Sequence, residues 1–540
     1  MPRDLLERLN EWKSRFGPYG AGRLERLLHA IARRKFGSAE ELIRLHETLL
    51  FLRAYPRSRE VARLADAALL GFGARIAELP SAGVDLEPFE EPEVSGIAGT
   101  SLSAVFTYEF ARRLAARHAR DLEIGWDRYD EIDRLGPVLA RILPLFGEDW
   151  PVEAHAPFRE WMAAARPRGG SDLTWLLERL AALPVTPRER AALYETLGMP
   201  LTWQFGTRMS RTNLRLPGRR LYCHREPLLR RGDISLAREL EGPSLPVRRL
   251  ARAEARKILD LILDASAMRF RELYGFSHPD EAGVFHADAG RGVEIYFFGV
   301  PPEWRLPLRA YHAGMFFKNG VPAGYVELLS LFERAEVGFN LYYTFREGES
   351  AWLYARVLRL FKQVLGVSVF SVDPYQIGLE NPEAVQSGAF WFYRKLGFRP
   401  ADPDAAALVE REERRMRRMP GYRSSKRTLE KLARSYILFE GAPAEAGAWD
   451  NFQVRTLGLA AGRAGLSTGS GLARVLKLIP DWARWSAEEK LAVAGIVRAK
   501  EEGSEARYLR LMQGHPRLRQ AFLALGSSAR RARRPDAHLL

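Results

Sequence analysis

The chain has 540 residues, 46% of them hydrophobic and 28% charged, proportions that exclude wholesale disorder, collagen and coiled-coil arrays. Its length predicts three or four domains. It carries 82 basic residues (11 Lys, 71 Arg) against 67 acidic ones, a net charge of +15 that favours encounter with anions such as nucleic acid or a phosphorylated cofactor. No aromatic–basic motif accompanies the charge, so a solvated arginine-rich surface is the plainer reading and nucleic acid a secondary one. The single cysteine, Cys223, permits neither an internal disulfide nor a cysteine zinc site. Apolar windows such as 364–372 are too short to span a bilayer, and MPRDLLERLNEWKSRF lacks the apolar core of a secretory signal. The expectation is a cytoplasmic protein with no membrane partner.

In chain order, residues 1–92 predict helices. Leu24, Leu27, Leu28 and Ile31 recur at helical spacing, as do Leu42, Leu45, Leu49 and Leu50 behind the Ser38 and Glu41 of a capping box. The Pro- and acid-rich stretch 78–94 (ELPSAGVDLEPFEEPEV) reads as a linker. Residues 93–244 form a second helical region, with periodic runs at 103–119, 134–146, 172–183 and 187–197 and no strand up to about residue 200. Residues 245–440 change texture. One or two amphipathic helices over 247–274 lead into strand-like runs at 293–300, 311–318, 323–331 and 335–344, and Asn319-Gly320 marks a hairpin between the second and third. A helix over 350–365, a buried strand over 366–372 and a helix over 382–396 follow, the last with Asn381 as N-cap, Pro382 at its first position and Gly397 past its end. Residues 441–526 predict a C-terminal helical region, and 527–540 a basic disordered tail. The fold class expected is α/β (α+β): a mixed sheet with crossover helices, flanked by all-α regions at both ends.

Two segments carry the candidate chemistry. In AEVGFNLYYTFREGESAWLYARVLRLF, a strand feeds a glycine-containing turn and a helix N-terminus, whose unpaired N–H groups and positive dipole end suit phosphate oxygens. Gly348, Ser350 and Ala351 allow close approach and Arg346 adds charge, while Glu347 and Glu349 compete with an anion. In the second segment, DPYQIGLEN precedes PEAVQSGAFWFYRKLGFRP. The ending AFWFYRKLGF resembles the last helix of the GNAT acyltransferase superfamily. Hairpin, strand, glycine turn, helix, strand and Tyr-bearing helix follow in that family's order over roughly 245–440. Arg346 stands one place later than the family's basic residue, Ser350 stands where Gly or Ala is usual, and Gln386 occupies the position of an Asn near the pantetheine arm.

The resemblance implies direct attack of an acceptor amine on acetyl-CoA or another acyl-CoA. Arg346, Gly348, Ser350, Ala351 and Gln386 would lie along the CoA, and Tyr393 would protonate the departing sulfur. For the base, strand alternation places Glu336, Gly338 and Asn340 on one face, making Glu336 the best-placed carboxylate and Glu327 its rival. Tyr375 and Gln376, in the loop at the end of a parallel strand, join Asn340 as candidate acceptor contacts. The acceptor expected is a small-molecule, peptide or protein amine. A non-catalytic binding protein of the same fold and an aminoacyl-tRNA-dependent transferase are the alternatives.

Other motifs predict little. His278, Asp280, His286 and Asp288 share one predicted loop without metal-ligand spacing, so no metal is expected. Gly465-Leu466-Ser467-Thr468-Gly469 matches G-x-S-x-G without the strand that motif requires. The glycine-rich 95–100 lacks a P-loop lysine. Cys223-His224 predicts a buried thiol.

Overall fold

The computed structural model describes residues 4–16, 20–218, 220–269, 272–441, 446–466 and 471–527. The G-x-S-x-G serine and the tail beyond Ser527 lie outside the described residues.

The N-terminal helices form as their periodicity predicts. Ser38 caps Ala39–Ala54 by accepting from the Glu41 N–H, and Leu42, Leu45 and Leu49 pack with Leu24, Leu27, Leu28 and Ile31 of Gly20–Ala32. The predicted linker is not a free tether. Phe89, Val84, Leu86 and Val94 pack into this same core, which proline and acid content could not show.

The second region is not all-helical. It contains a three-stranded antiparallel sheet of β1 (Ser101–Val105), β2 (Leu122–Ile124) and β3 (Pro200–Gln204), in the order β1-β3-β2. β1 takes the start of the run predicted as helix over 103–119, and the helix begins only at Tyr108. Strands of three to five residues give too few alternations to outweigh a helical pattern, and the pairing of β1 with β3 spans about a hundred residues.

Among the described residues, nine strands build the large sheet: β4 (Val247–Arg249), β5 (Phe285–Gly290), β6 (Val293–Phe298), β7 (Ala310–Lys318), β8 (Val321–Leu331), β9 (Arg334–Leu341), β10 (Val369–Val372), β11 (Arg399–Pro400) and β12 (Ile437–Glu440). Their order is β11-β12-β10-β9-β8-β7-β6-β5-β4. The β7–β8 hairpin turns at Asn319 and Gly320, with φ of 48° and 78°, the positive pair that a tight hairpin turn requires. β9 and β10 alone among these pairs run parallel, because the helix Ser350–Leu365 carries the chain back across the sheet between them. With 51% helix and 13% strand, the class is mixed α+β with an open mixed sheet.

Both faces of the sheet are covered. Tyr296, Phe298, Tyr311, Ala313, Met315 and Phe317 share a core with helix Arg252–Ala267 and the β1–β3 region. Ile295, Phe297, Phe316, Val326, Ala335 and Val337 face the other way, onto Ser350–Leu365 and the C-terminal helices. Among those helices, Tyr508 Oη donates to the Leu308 carbonyl at 2.7 Å, and Gln513 Nε2 to the Phe332 and Leu365 carbonyls at 3.0 Å. The C-terminal region is thus built onto the sheet. The helix predicted over 382–396 is two, Pro382–Ser387 and Ala389–Arg394, broken at Gly388 with φ 69°. β5 removes His286 and Asp288 from the predicted loop and puts them on a strand.

Candidate functional site

β9 is paired with β10 only over Arg334–Glu336. Beyond Glu336 the strand continues to Leu341 with β8 on one side and, among the described residues, no strand on the other. Beside that parting, over the paired stretch and on the face shared with Leu329 of β8, opens a cleft of about 750 Å³ lined by Glu336, Arg309, Arg334, Asp373, Tyr375 and Tyr436 among others.

Glu336 is held there by register: it lies opposite Leu329 of β8 and Ser371 of β10. Burial raises its pKa above the usual carboxylate value, and Arg309, with Nη1 at 3.5 Å, only partly opposes this. Arg334 is buried and hydrogen-bonded, its Nε donating to Ser371 Oγ at 3.1 Å and its Nη1 to the Phe452 carbonyl at 3.2 Å. Asp373 Oδ1 accepts from the Tyr375 N–H at 2.8 Å, which starts the turn that carries Tyr375 over the cleft. Burial, then the charges of Glu336 and Asp373, push the Tyr436 phenol up. The cleft therefore presents a carboxylate that gains by taking up a proton, beside tethered cations.

Of the predicted acceptor contacts, Tyr375 lines this cleft, while Asn340 and Gln376 do not. Asn340 Nδ2 donates to Tyr325 Oη at 3.0 Å. Gln376 instead fills the parting: its Oε1 accepts from the Phe339 N–H at 3.4 Å, and its Nε2 lies 3.0 Å from where a Cβ on Gly338 would stand. Glu327, the rival base, is half-buried, accepts from the Tyr311 hydroxyl and lies outside the cleft.

Tyr393 belongs to the core behind β9. Its ring is 5.4 Å from Tyr354, which in turn lies 5.0 Å from Phe339 in the unpaired stretch of β9. Burial raises its pKa, so the phenol stays protonated. It does not line the cleft that Glu336 faces.

The predicted phosphate turn is closed by protein. A Cβ on Gly348 would meet Tyr55 Oη at 2.5 Å, so the turn lies against the end of helix Ala39–Ala54. Glu349, fully buried at the start of Ser350–Leu365, accepts from Arg291 Nε at 3.0 Å and from the Leu229 N–H at 3.1 Å, with Lys318 Nζ at 3.8 Å. Glu349 is the N-cap of that helix, so its negative charge lies near the helix's positive end, although its side chain makes no hydrogen bond to the helix N–H groups. Ala351 is buried. Arg346 points away to Glu383, at 2.6 Å, and Gln386 is exposed. As folded, these residues do not fit a CoA pyrophosphate. Asn381 does cap its helix, accepting from the Ala384 N–H at 3.1 Å.

Elsewhere, His278 stacks on Trp304 at 3.6 Å and His286 pairs with Glu294 at 3.1 Å. Among the described residues, no group of three His, Cys, Asp or Glu sits together as a metal site, and no helix is long and apolar enough to cross a membrane. Gly96 is a packing joint, where a Cβ would stand 2.9 Å from that of Met268. Cys223 is half-buried, and it is His224 beside it that is fully enclosed.

Sequence reasoning missed Arg309, Arg334 and Tyr436, which reach the cleft from three separate strands and loops. Asp373 was legible, as an acid at the C-terminal end of a parallel strand, but its Asp-Pro pairing reads first as a turn. No family model, curated protein or solved structure matches the chain.

Proposed function

We propose that the cleft binds an amine-bearing acceptor and that the chain transfers an acyl group to it, as the resemblance to GNAT N-acyltransferases implies. The observation that carries this reading is Glu336: a carboxylate with a raised proton affinity, on the floor of a ligand-sized cleft, where a parallel strand pair opens. The acceptor arrives as an ammonium, which Glu336 attracts. Loss of its proton to Glu336, directly or through water, frees the nitrogen lone pair to attack the thioester carbonyl, so that the amide C–N bond forms, the C–S bond breaks and the thiolate leaves to take up a proton. The order of strands β6–β10, with its single parallel pair, also agrees with the family's sheet. Tyr393, kept protonated by burial and one ring away from the unpaired stretch, is the group proposed to return a proton on the far side of β9.

The donor proposed is an acyl thioester, acyl-CoA first among those to test. The turn at Gly348–Ala351 takes no part in these steps, since Tyr55 and Glu349 close it. The same closure, with Gln376 in the parting, favours a second reading, a protein of this fold that binds its ligand without chemistry. Melting temperature measured with acetyl-CoA and with primary amines, singly and together, tests both. A shift with each ligand supports transfer. A shift with amines alone supports binding without transfer, and no shift with any of them sinks both.

A further inference from the structure

The hairpin of helices Pro403–Arg418 and Lys426–Leu432 is rooted at the rim of the cleft. Asp402 and Pro403 line the cleft where the first helix leaves it, and Arg434, Ser435 and Tyr436 line it where the second returns. The roots are tied together, the Ala401 N–H donating to the Tyr436 carbonyl at 2.9 Å and the Asp402 N–H to Ser435 Oγ at 3.1 Å. The far end is rigid too. Glu412, 1% exposed, accepts from Tyr422 Oη at 3.0 Å, Ser424 Oγ at 2.6 Å and Arg415 Nη1 at 2.9 Å, and Trp391 Nε1 donates to Ser424 Oγ at 3.2 Å.

This frame holds an excess of free positive charge. Arg411, Arg417, Arg418, Arg427, Lys431 and Arg434 are exposed, and none forms an ion pair with a described residue. Arg427 and Lys431 fall at i and i+4 on one face of Lys426–Leu432, and Arg434, in the turn that follows the helix, lines the cleft. Tyr375, which lines the same cleft as Arg434, is 57% exposed, a large aromatic ring that no core claims. Cations spaced along a rigid track and ending at an exposed ring in a cleft match a phosphodiester backbone whose end base can stack. A membrane surface would meet the charges but could not follow them into a cleft.

We propose that this hairpin docks a single-stranded polynucleotide, its terminal base stacked on Tyr375 and its phosphates along Arg427, Lys431 and Arg434. The proposal uses the cleft as a ligand site and does not depend on acyl transfer. Failure of the native chain to bind polynucleotide, with acyl transfer intact, would therefore sink this proposal alone.

The test is fluorescence anisotropy of the full chain with labelled RNA and DNA strands of about 20 nucleotides, longer than one binding track needs. A duplex of equal length and vesicles containing phosphatidylserine are the comparisons, at about 0.15 M salt. The expected result is tighter binding of one or both single strands than of the duplex. Arg427→Glu with Lys431→Glu should weaken it at least tenfold and flatten its salt dependence by about one to two logarithmic units per decade. Tyr375→Ala should weaken it about tenfold with the salt dependence unchanged. Should the charge reversal disturb the melting temperature, Arg427→Gln with Lys431→Gln carries the same expectation in smaller measure. Duplex bound as tightly as single strands, vesicles bound in preference to either, or affinity indifferent to the charge or Tyr375 variants would overturn the proposal.

Discussion

The two ends of β9 present the same chemistry under opposite conditions. Near its start, Glu336 is a half-buried carboxylate with the Arg309 guanidinium at 3.5 Å and about 750 Å³ of open cleft before it. Past its end, Glu349 is a buried carboxylate gripped by Arg291, Lys318 and the Leu229 N–H, with Tyr55 across the turn. Desolvation acts on both. At Glu349 its cost is offset by saturated partners, which makes the residue a joint between the N-terminal helices and the sheet. At Glu336 the cost stands as a raised proton affinity, and that surplus is what a general base can use.

The largest effects test the open end. Glu336→Gln should slow acyl transfer by about 10²–10⁴ once an acceptor is known, with the melting temperature nearly unchanged. The pH dependence has a definite sign. Because the folded pKa of Glu336 is raised, its contribution to stability is fully present below the unfolded value and is lost as pH rises through the folded one. The Gln variant should therefore lose part of the decline in stability that the native chain shows on leaving acid pH. Equal turnover in variant and native protein would remove Glu336 from the chemistry. Tyr393→Phe should slow transfer by a similar order while amine binding in the cleft stays as it was, since its ring lies behind the strand. Normal turnover there would make the tyrosine a packing residue.

The closed end should respond in stability and not in rate. Glu349→Gln leaves Lys318 and Arg291 with a buried charge unmatched and should cost about 3–5 kcal/mol, read as a lower denaturant midpoint. Lys318 gives a second handle. Burial lowers its pKa to about 7, so between that value and the unfolded one near 10.5 the unfolded chain binds the extra proton. Stability should rise with pH across that window, and Lys318→Met should flatten the rise. Gly348→Val should destabilise as well, since its side chain would need the space of Tyr55. Should Gly348→Val leave stability untouched and abolish acyl-CoA binding, the turn would be a cofactor site after all and the contrast between the two ends would fail.

This contrast also explains what could be read from the residues and what could not. The hairpin at Asn319-Gly320, the caps at Ser38 and Asn381 and the helix Ser350–Leu365 depend on neighbours in sequence, and local spacing specifies them. The face of Glu336 followed from alternation along one strand. The closure of the glycine turn did not, because Tyr55 reaches Gly348 from almost three hundred residues away. The cleft likewise needs Arg309, Asp373 and Tyr436 together, and no window of sequence contains them. The short strands β1, β2, β11 and β12 were hidden for a related reason: each is defined by its partner more than by its own pattern.

The smallest expected effect decides between transfer and binding alone. Gln376 sits where the parallel pair parts and holds the Phe339 N–H at 3.4 Å, a long and weak bond to a group that an incoming ligand carbonyl could take instead. Gln376→Ala removes that bond and opens the parting. The stability cost should be about 0.5–1.5 kcal/mol, because water can reach the freed N–H through the gap. In a transferase, Gln376 is displaced as the donor enters, so its removal should tighten donor binding several-fold and leave the amine affinity unchanged. In a protein that only binds, Gln376 is a permanent plug, and the variant should lose stability with no gain in affinity for acetyl-CoA. Calorimetric titration of the variant with acetyl-CoA and with an amine, each alone, separates the two outcomes, and a gain for the amine alone would place the donor's entry away from β9.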